Sequence, residues 1–161
     1  MGILLFFNGV FMLIASLVSL IYKDGVTFEI TISSFIVLFI GALLMLFFRH
    51  YDKQIQKREG YLIVTLGWLL MAISGTIPYI FTETIPNFTS SFFETMSGYT
   101  TTGATILDDI ESLPEGILFW RSTTHWIGGM GIIVLAIAIL PFLGIGGIQL
   151  FTAEAPGPAS D

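Results

Sequence analysis

The chain has 161 residues, of which 54% are hydrophobic and 11% are charged, and it contains no cysteine. A soluble domain carries about 25% charged residues, so much of this surface is expected to face lipid rather than water. Without cysteine the chain has no disulfide, thiol nucleophile or cysteine-ligated metal. The net charge of −6 argues against nucleic-acid binding, because neutralising phosphates requires clustered Lys and Arg.

Four apolar segments are long enough to form membrane-spanning helices. A helix rises about 1.5 Å per residue and the hydrocarbon core is about 30 Å thick, so about 20 apolar residues are needed. The alternative for the first segment is a signal peptide, but it lacks a basic N-terminal region and a small-residue cleavage site. Pro78 is expected to tighten or end the third segment. The predicted spans cover residues 2–22, 31–48, 61–81 and 115–143.

The basic residues indicate how these spans are oriented. Four of the six Lys and Arg residues lie between the second and third spans, namely Arg49, Lys53, Lys57 and Arg58. Lys and Arg are enriched in cytoplasmic loops, so this loop, the N-terminus and the C-terminal tail are predicted to be cytoplasmic. Most acids then lie outside, where they would concentrate cations at a pore mouth. The alternative is that they are ordinary solvated loop residues.

The apolar and aromatic segment 88–97, between Pro86-Asn87 and Gly98, is too short to span the membrane. A helix of about 12 residues is about 18 Å long, roughly half a bilayer. The segment is therefore predicted to form either a buried re-entrant half-helix that enters from outside or an interfacial helix.

The residues after this half-helix are predicted to form one strip of an ion-selectivity filter: Thr100, Thr101, Thr102, Gly103 and Ala104. Non-helical backbone at membrane depth needs protein, water or ions to satisfy its polar groups. Rings of carbonyl oxygens can replace the hydration shell of a monovalent cation, and the negative end of a helix dipole favours a cation nearby. Glycine permits unusual dihedrals and close approach. A structural plug and an ordinary turn are the alternatives.

Two residues of the half-helix, Glu94 and Ser97, are candidate supports of the filter. Glu94 is expected either to hydrogen-bond or electrostatically tune the strip, or to pair with a neighbouring helix. Arg121 is expected to snorkel towards the headgroups, with pairing to an acid of the outer loop as the alternative. His125 is expected to be a packed, hydrogen-bonded helix residue. Since no nucleophile–base pair, acid–base dyad or metal cluster stands out, the sequence does not suggest an enzyme.

Two longer stretches carry a resemblance to a known family. Residues 92–105, FFETMSGYTTTGAT, look like the first pore loop of the Trk/Ktr/HKT potassium-uptake superfamily. Residues 119–134, FWRSTTHWIGGMGIIV, look like the following helix in its TrkH branch. That branch also has an added helix pair before the first pore repeat.

The resemblance implies four membrane-pore-membrane repeats around one potassium path, each with a glycine at the place of Gly103. Potassium is then expected to be held by the backbone of Thr101, Thr102 and Gly103. The resemblance also implies that this chain is about the N-terminal third of a longer protein. A homotetramer of single-repeat chains is the alternative that symmetry allows.

The sequence therefore predicts an all-α integral membrane protein with three parts. These are an N-terminal helix pair with its basic loop (1–59), the first membrane-pore-membrane repeat (60–144) and a cytoplasmic tail (145–161). The expected function is potassium uptake across the cell (inner) membrane, with sodium as a second candidate ion and no cofactor. A non-conducting membrane scaffold or assembly subunit is the alternative. Besides membrane lipid, the resemblance implies a cytosolic nucleotide-binding regulatory subunit and a homodimer of the full-length protein; no nucleic acid is expected.

Overall fold

The computed structural model describes residues 1–49 and 57–139 of the chain. Within these ranges the chain forms six helices and no strands. The predicted tail 145–161, the end of the fourth predicted span and most of the basic loop lie outside the described residues. The helices are α1 (Gly2–Tyr22), α2 (Thr27–Phe48), α3 (Lys57–Gly75), α4 (Ile77–Phe81), α5 (Phe88–Tyr99) and α6 (Glu115–Ile139).

Within residues 1–49 and 57–139, three segments are long and apolar enough to cross a membrane: Gly2–Tyr22, Thr27–Phe48 and Glu59–Phe81. They correspond to the first three predicted spans. The fourth predicted span is helical as α6 over 25 residues. Its described part is long enough to cross a membrane but is less apolar than these three segments. The first half of α6 carries polar side chains, including Arg121 and His125, that make hydrogen bonds inside the protein.

The N-terminal helix pair is α1 and α2, joined by a turn that is shorter than the sequence predicted. Lys23 and Gly25 adopt positive φ angles of 57° and 88°, which reverse the chain within a few residues. Helix α2 consequently starts at Thr27, four residues before the predicted start at 31. The hydroxyl of Thr31 donates to the Thr27 carbonyl at 2.6 Å, so the helix itself satisfies this polar side chain.

The third predicted span is interrupted near its end. Pro78 lacks the N–H that an uninterrupted helix would need, and the chain forms α3 and then the short α4. The indole nitrogen of Trp120 in α6 donates to the Gly75 carbonyl at this break, at 3.1 Å. Trp120 and Tyr79 are the largest fully buried side chains, and both lie in the main hydrophobic core.

The turn of the helix pair also contacts the start of α6. One Asp24 carboxylate oxygen accepts a hydrogen bond from the Gly116 backbone N–H at 2.8 Å. The other accepts from the Val26 N–H and from the Ser19 hydroxyl. A carboxylate at a helix N-terminus pairs with unsatisfied N–H groups and with the positive end of the helix dipole. Asp24 thereby fixes the helix pair against the repeat that carries the predicted filter.

Candidate ion-selectivity filter

The short helix predicted over 88–97 is present as α5, which has 12 residues and ends two residues later, at Tyr99. Its start is capped by the Asn87 side chain, which accepts a hydrogen bond from the Thr89 N–H at 2.9 Å. Helix α5 packs against both α3 and α6. Half of its residues are buried, namely Ser91, Glu94, Thr95, Ser97, Gly98 and Tyr99. The half-helix is therefore embedded in the protein.

The end of α5 is closed by the first residues of the strip, defined as residues 100–104. Thr101 has a φ of 54°, and its N–H donates to the Gly98 carbonyl at 2.9 Å. The N–H of Thr102 donates to the Ser97 carbonyl at 3.0 Å. This pair of bonds is a Schellman motif, in which glycine is the usual left-handed residue. Here a threonine holds that position, and the strip leaves the helix with its first N–H groups turned back towards α5.

The carbonyl groups of the strip fall into two sets. Among the described residues, the carbonyls of Thr101, Thr102 and Gly103 accept no hydrogen bond. The Thr100 carbonyl accepts from the Thr101 hydroxyl at 2.7 Å, and the Ala104 carbonyl accepts from the Ser97 hydroxyl at 2.6 Å. All five residues of the strip are exposed. The strip thus presents an open stretch between two engaged ends.

Glycine is required at position 103 by the backbone conformation and not by close packing around it. Its φ is 75°, and a Cβ built on it would meet no atom of the described part of the chain within 4 Å. A positive φ is strained for residues with a Cβ. The glycine therefore allows the strip to turn between its open and its anchored parts.

Glu94 joins three parts of the structure. Its side chain is 0% exposed. Both carboxylate oxygens accept from the Thr105 hydroxyl at 3.0 Å, and one accepts from the Ile106 N–H at 3.0 Å. The Arg121 Nε of α6 donates to the same carboxylate at 2.7 Å. Glu94 therefore contacts the segment just after the strip and a neighbouring helix together, which the sequence had presented as alternatives.

The expectation that Arg121 snorkels to the headgroups is wrong, as is the alternative of an outer-loop partner. Its side chain is 18% exposed and pairs with Glu94 instead. A buried carboxylate is costly unless a cation and hydrogen bonds compensate it. Arg121 is the only Lys or Arg within the predicted spans and half-helix, and this was the signal from which the pair could have been inferred.

Helix α6 reaches the backbone at the end of α5 through Gly128. A Cβ on Gly128 would overlap the Tyr99 carbonyl and lie 2.8 Å from the Tyr99 Cα. Only a residue without a side chain permits this approach. His125, as expected, is hydrogen-bonded within α6, with its Nδ1 3.0 Å from the Arg121 carbonyl.

Two buried residues that the sequence did not single out, Asn8 and Tyr99, are hydrogen-bonded to each other. The Tyr99 hydroxyl donates to the Asn8 Oδ1 at 2.5 Å, and the Asn8 Nδ2 donates to the Ser74 hydroxyl at 2.8 Å. A lone asparagine in an otherwise apolar span was the available signal, since such residues commonly hydrogen-bond between membrane helices.

Comparison with known proteins agrees with this architecture. The TrkH family, described as cation transport proteins, matches residues 26–161. The chain is 49% identical to the Trk system potassium uptake protein TrkH of Escherichia coli K12 over an alignment of 161 positions, which covers 99% of this chain and 33% of that protein. It is 39% identical to TrkG of the same organism, again over 99% of this chain and 33% of the relative.

A crystal structure of the potassium transporter TrkH from Vibrio parahaemolyticus is similar, with a TM-score of 0.83 and 44% sequence identity. The match covers 91% of this chain and 31% of that one. The chain spans about a third of the length of the curated relatives it matches. With its all-helical fold, short embedded helix and family match, the chain belongs to the TrkH family of cation transport proteins.

Proposed function

We propose that this chain is the N-terminal part of a potassium uptake protein and supplies one of four strips of its selectivity filter. The observation that carries the proposal is the open stretch Thr101, Thr102 and Gly103, which follows the end of an embedded half-helix. Among the described residues, the three carbonyls of this stretch accept no hydrogen bond. Carbonyls in such a position can coordinate a partly dehydrated cation. Potassium is the ion named for the similar Trk proteins, and sodium is the second candidate.

The charges around the strip favour a monovalent cation held by dipoles. Glu94 is the carboxylate hydrogen-bonded beside the strip, and Arg121 balances its charge. The attraction for a cation then comes from the open carbonyls and from the negative end of α5 directly behind them. Glu94 acts by holding the segment after the strip, through Thr105 and Ile106.

Hydrogen bonds hold the strip at both ends, as a filter requires. The Schellman motif fixes Thr101 and Thr102 to the end of α5. The Ser97 hydroxyl fixes the Ala104 carbonyl. Ser97 and Glu94 thus support the strip in this proposal, while Thr101, Thr102 and Gly103 contact the ion.

The exposure of the strip fits a site that further repeats complete. A ring of carbonyls needs several strips, and this chain supplies one. The proposed whole protein has four repeats, lies in the cell inner membrane and passes ions inward from a filter entrance outside. A cytoplasmic position of the loop between α2 and α3 is supported by its basic residues Arg49, Lys53, Lys57 and Arg58. The proposed partners are a cytosolic nucleotide-binding regulatory subunit and a second copy of the full-length protein.

Gly103→Ser, made in the full-length transporter that carries this segment, tests the proposal. The assay is potassium uptake, with sodium competition, in cells deficient in potassium transport. We expect reduced uptake and a lower preference for potassium over sodium, because serine strains the turn inside the strip. Gly25→Ser is the matched control, since Gly25 also has a positive φ, 88°, and open space around it, but lies in the α1–α2 turn.

The competing function, a non-conducting scaffold, predicts a different result. Gly103→Ser and Gly25→Ser would then both leave uptake and ion preference as in the wild type. That outcome, with the variant present in the membrane at the normal level, would refute the filter assignment.

A further inference from the structure

A buried chain of hydrogen bonds runs from the end of α5 through α1 to α3. Tyr99 donates to Asn8, Asn8 donates to Ser74, and the Ser74 hydroxyl donates to the Met71 carbonyl at 3.0 Å. Asn8 is 1% exposed and Tyr99 is 0% exposed. The donors all point in one direction, so Asn8 uses its carbonyl towards α5 and its amino group towards α3.

Tyr99 is the last residue of α5 and directly precedes the strip. Three different contacts hold it: its hydroxyl bonds Asn8, its ring packs edge-on against Trp68 with centroids 6.4 Å apart, and its main chain lies on Gly128. The main-chain and ring contacts come from α6 and α3, within the pore repeat. The hydroxyl contact comes from α1, in the helix pair that precedes it.

We propose that Asn8 is a positioning residue for the filter, which it acts on through the Tyr99 hydroxyl. The N-terminal helix pair thus takes part in setting the ion preference of the strip, through its contact with Tyr99. This inference rests on the proposed function of the strip as a filter. If Tyr99 is displaced, the end of α5 moves with it. The Schellman motif ties the strip to the carbonyls of that helix end, so the strip moves as well.

The test uses Tyr99→Phe and Asn8→Leu in the full-length transporter, separately and together. Tyr99→Phe removes the hydroxyl and keeps the ring against Trp68; Asn8→Leu removes the polar groups at similar size. We expect each single variant to raise the KM for potassium and to lower the preference over sodium by about threefold to tenfold, the size that one hydrogen bond can supply. The double variant should be no worse than the more affected single variant, since both break the same bond.

Ser34→Ala is the matched control. It removes another buried hydrogen bond of the helix pair, from the Ser34 hydroxyl to the Gly9 carbonyl at 2.7 Å, which joins α2 to α1 rather than α1 to α5. We expect it to leave KM and ion preference unchanged. If Asn8→Leu fails to reach the membrane, Tyr99→Phe alone decides the question, because it deletes a single oxygen atom.

The proposal is overturned if Tyr99→Phe lowers only the amount or the thermal stability of the protein, while its KM and ion preference equal those of the wild type. Gly103→Ser, measured in parallel, separates the two levels of inference. If it alters ion preference and Tyr99→Phe does not, the positioning role fails and the filter stands. If neither alters it, the proposed function of the strip fails as well.

Discussion

Mutating the two members of the ion pair between Glu94 and Arg121 should destabilise the protein to unequal extents. Arg121→Met removes the cation and leaves the Glu94 carboxylate, which is 0% exposed, without its counter-charge. Glu94→Gln removes the anion and leaves Arg121, which is 18% exposed and carries its charge on a long flexible side chain. Arg121→Met leaves the negative charge of Glu94 buried in the protein without a counter-charge. In Glu94→Gln, the remaining charge can move towards water.

The magnitudes follow from what each variant leaves behind. Removing one partner of a buried ion pair costs about 3–5 kcal/mol, mainly because the other charge remains desolvated. We expect Arg121→Met to approach this range. Glu94→Gln keeps an acceptor for the Thr105 hydroxyl and the Ile106 N–H, so we expect a loss of about 1–2 kcal/mol, as for hydrogen bonds that lose their charge. The double variant should be more stable than Arg121→Met alone.

Thermal unfolding of the purified full-length transporter in detergent, followed by tryptophan fluorescence, measures these differences. Ser122→Ala is the control on the same helix turn, since Ser122 is exposed and its hydroxyl donates to the Leu118 carbonyl of its own helix. The reasoning is refuted if Glu94→Gln destabilises the protein as much as Arg121→Met does. It is refuted equally if the losses of the two single variants simply add in the double variant.

Two further predictions concern packing and capping. Gly128→Ala should destabilise the protein by about 1–3 kcal/mol or prevent its accumulation, because the new methyl group would overlap the Tyr99 main chain. Gly129→Ala should be tolerated, since its methyl group would lie 3.9 Å from the Thr101 Cγ2. Equal membrane yield and melting temperature of the two variants would contradict this packing. Asp24→Ala should lower the free energy of unfolding by about 1–2 kcal/mol, because the cap at Gly116 is lost. Asp24→Asn should lower it less. A melting temperature unchanged by Asp24→Ala would show that the cap contributes nothing.

The sequence predicted the helices well where length and apolarity decide the outcome. The apolar run 2–22 is α1 to the residue, and the half-helix followed from a segment too short to cross the membrane. The start of α2 was placed too late because Thr27 and Glu29 look like loop residues. Their polarity is compatible with a helix start, where Glu29 lies in the first turn and meets the positive end of the dipole.

The contacts of the candidate site could not be read from sequence because they join distant residues. Glu94 and Arg121 are 27 positions apart, and Asn8 and Tyr99 are 91 apart. Pattern rules identify which residues need a partner, such as a carboxylate within a buried helix. They do not identify which partner the packing supplies. The left-handed Thr101 is a similar case, since glycine is the residue that usually signals this turn.

The cap that Asp24 provides has a consequence for how the protein is assembled. Gly116, at the start of α6, lies 92 residues after the aspartate that accepts a hydrogen bond from its N–H. Chains are synthesised from the N-terminus, so the α1–α2 turn already exists when the start of α6 is made. The helix pair can therefore act as a template during biogenesis. It can bind the start of α6, and so fix where this helix begins, as soon as α6 is synthesised.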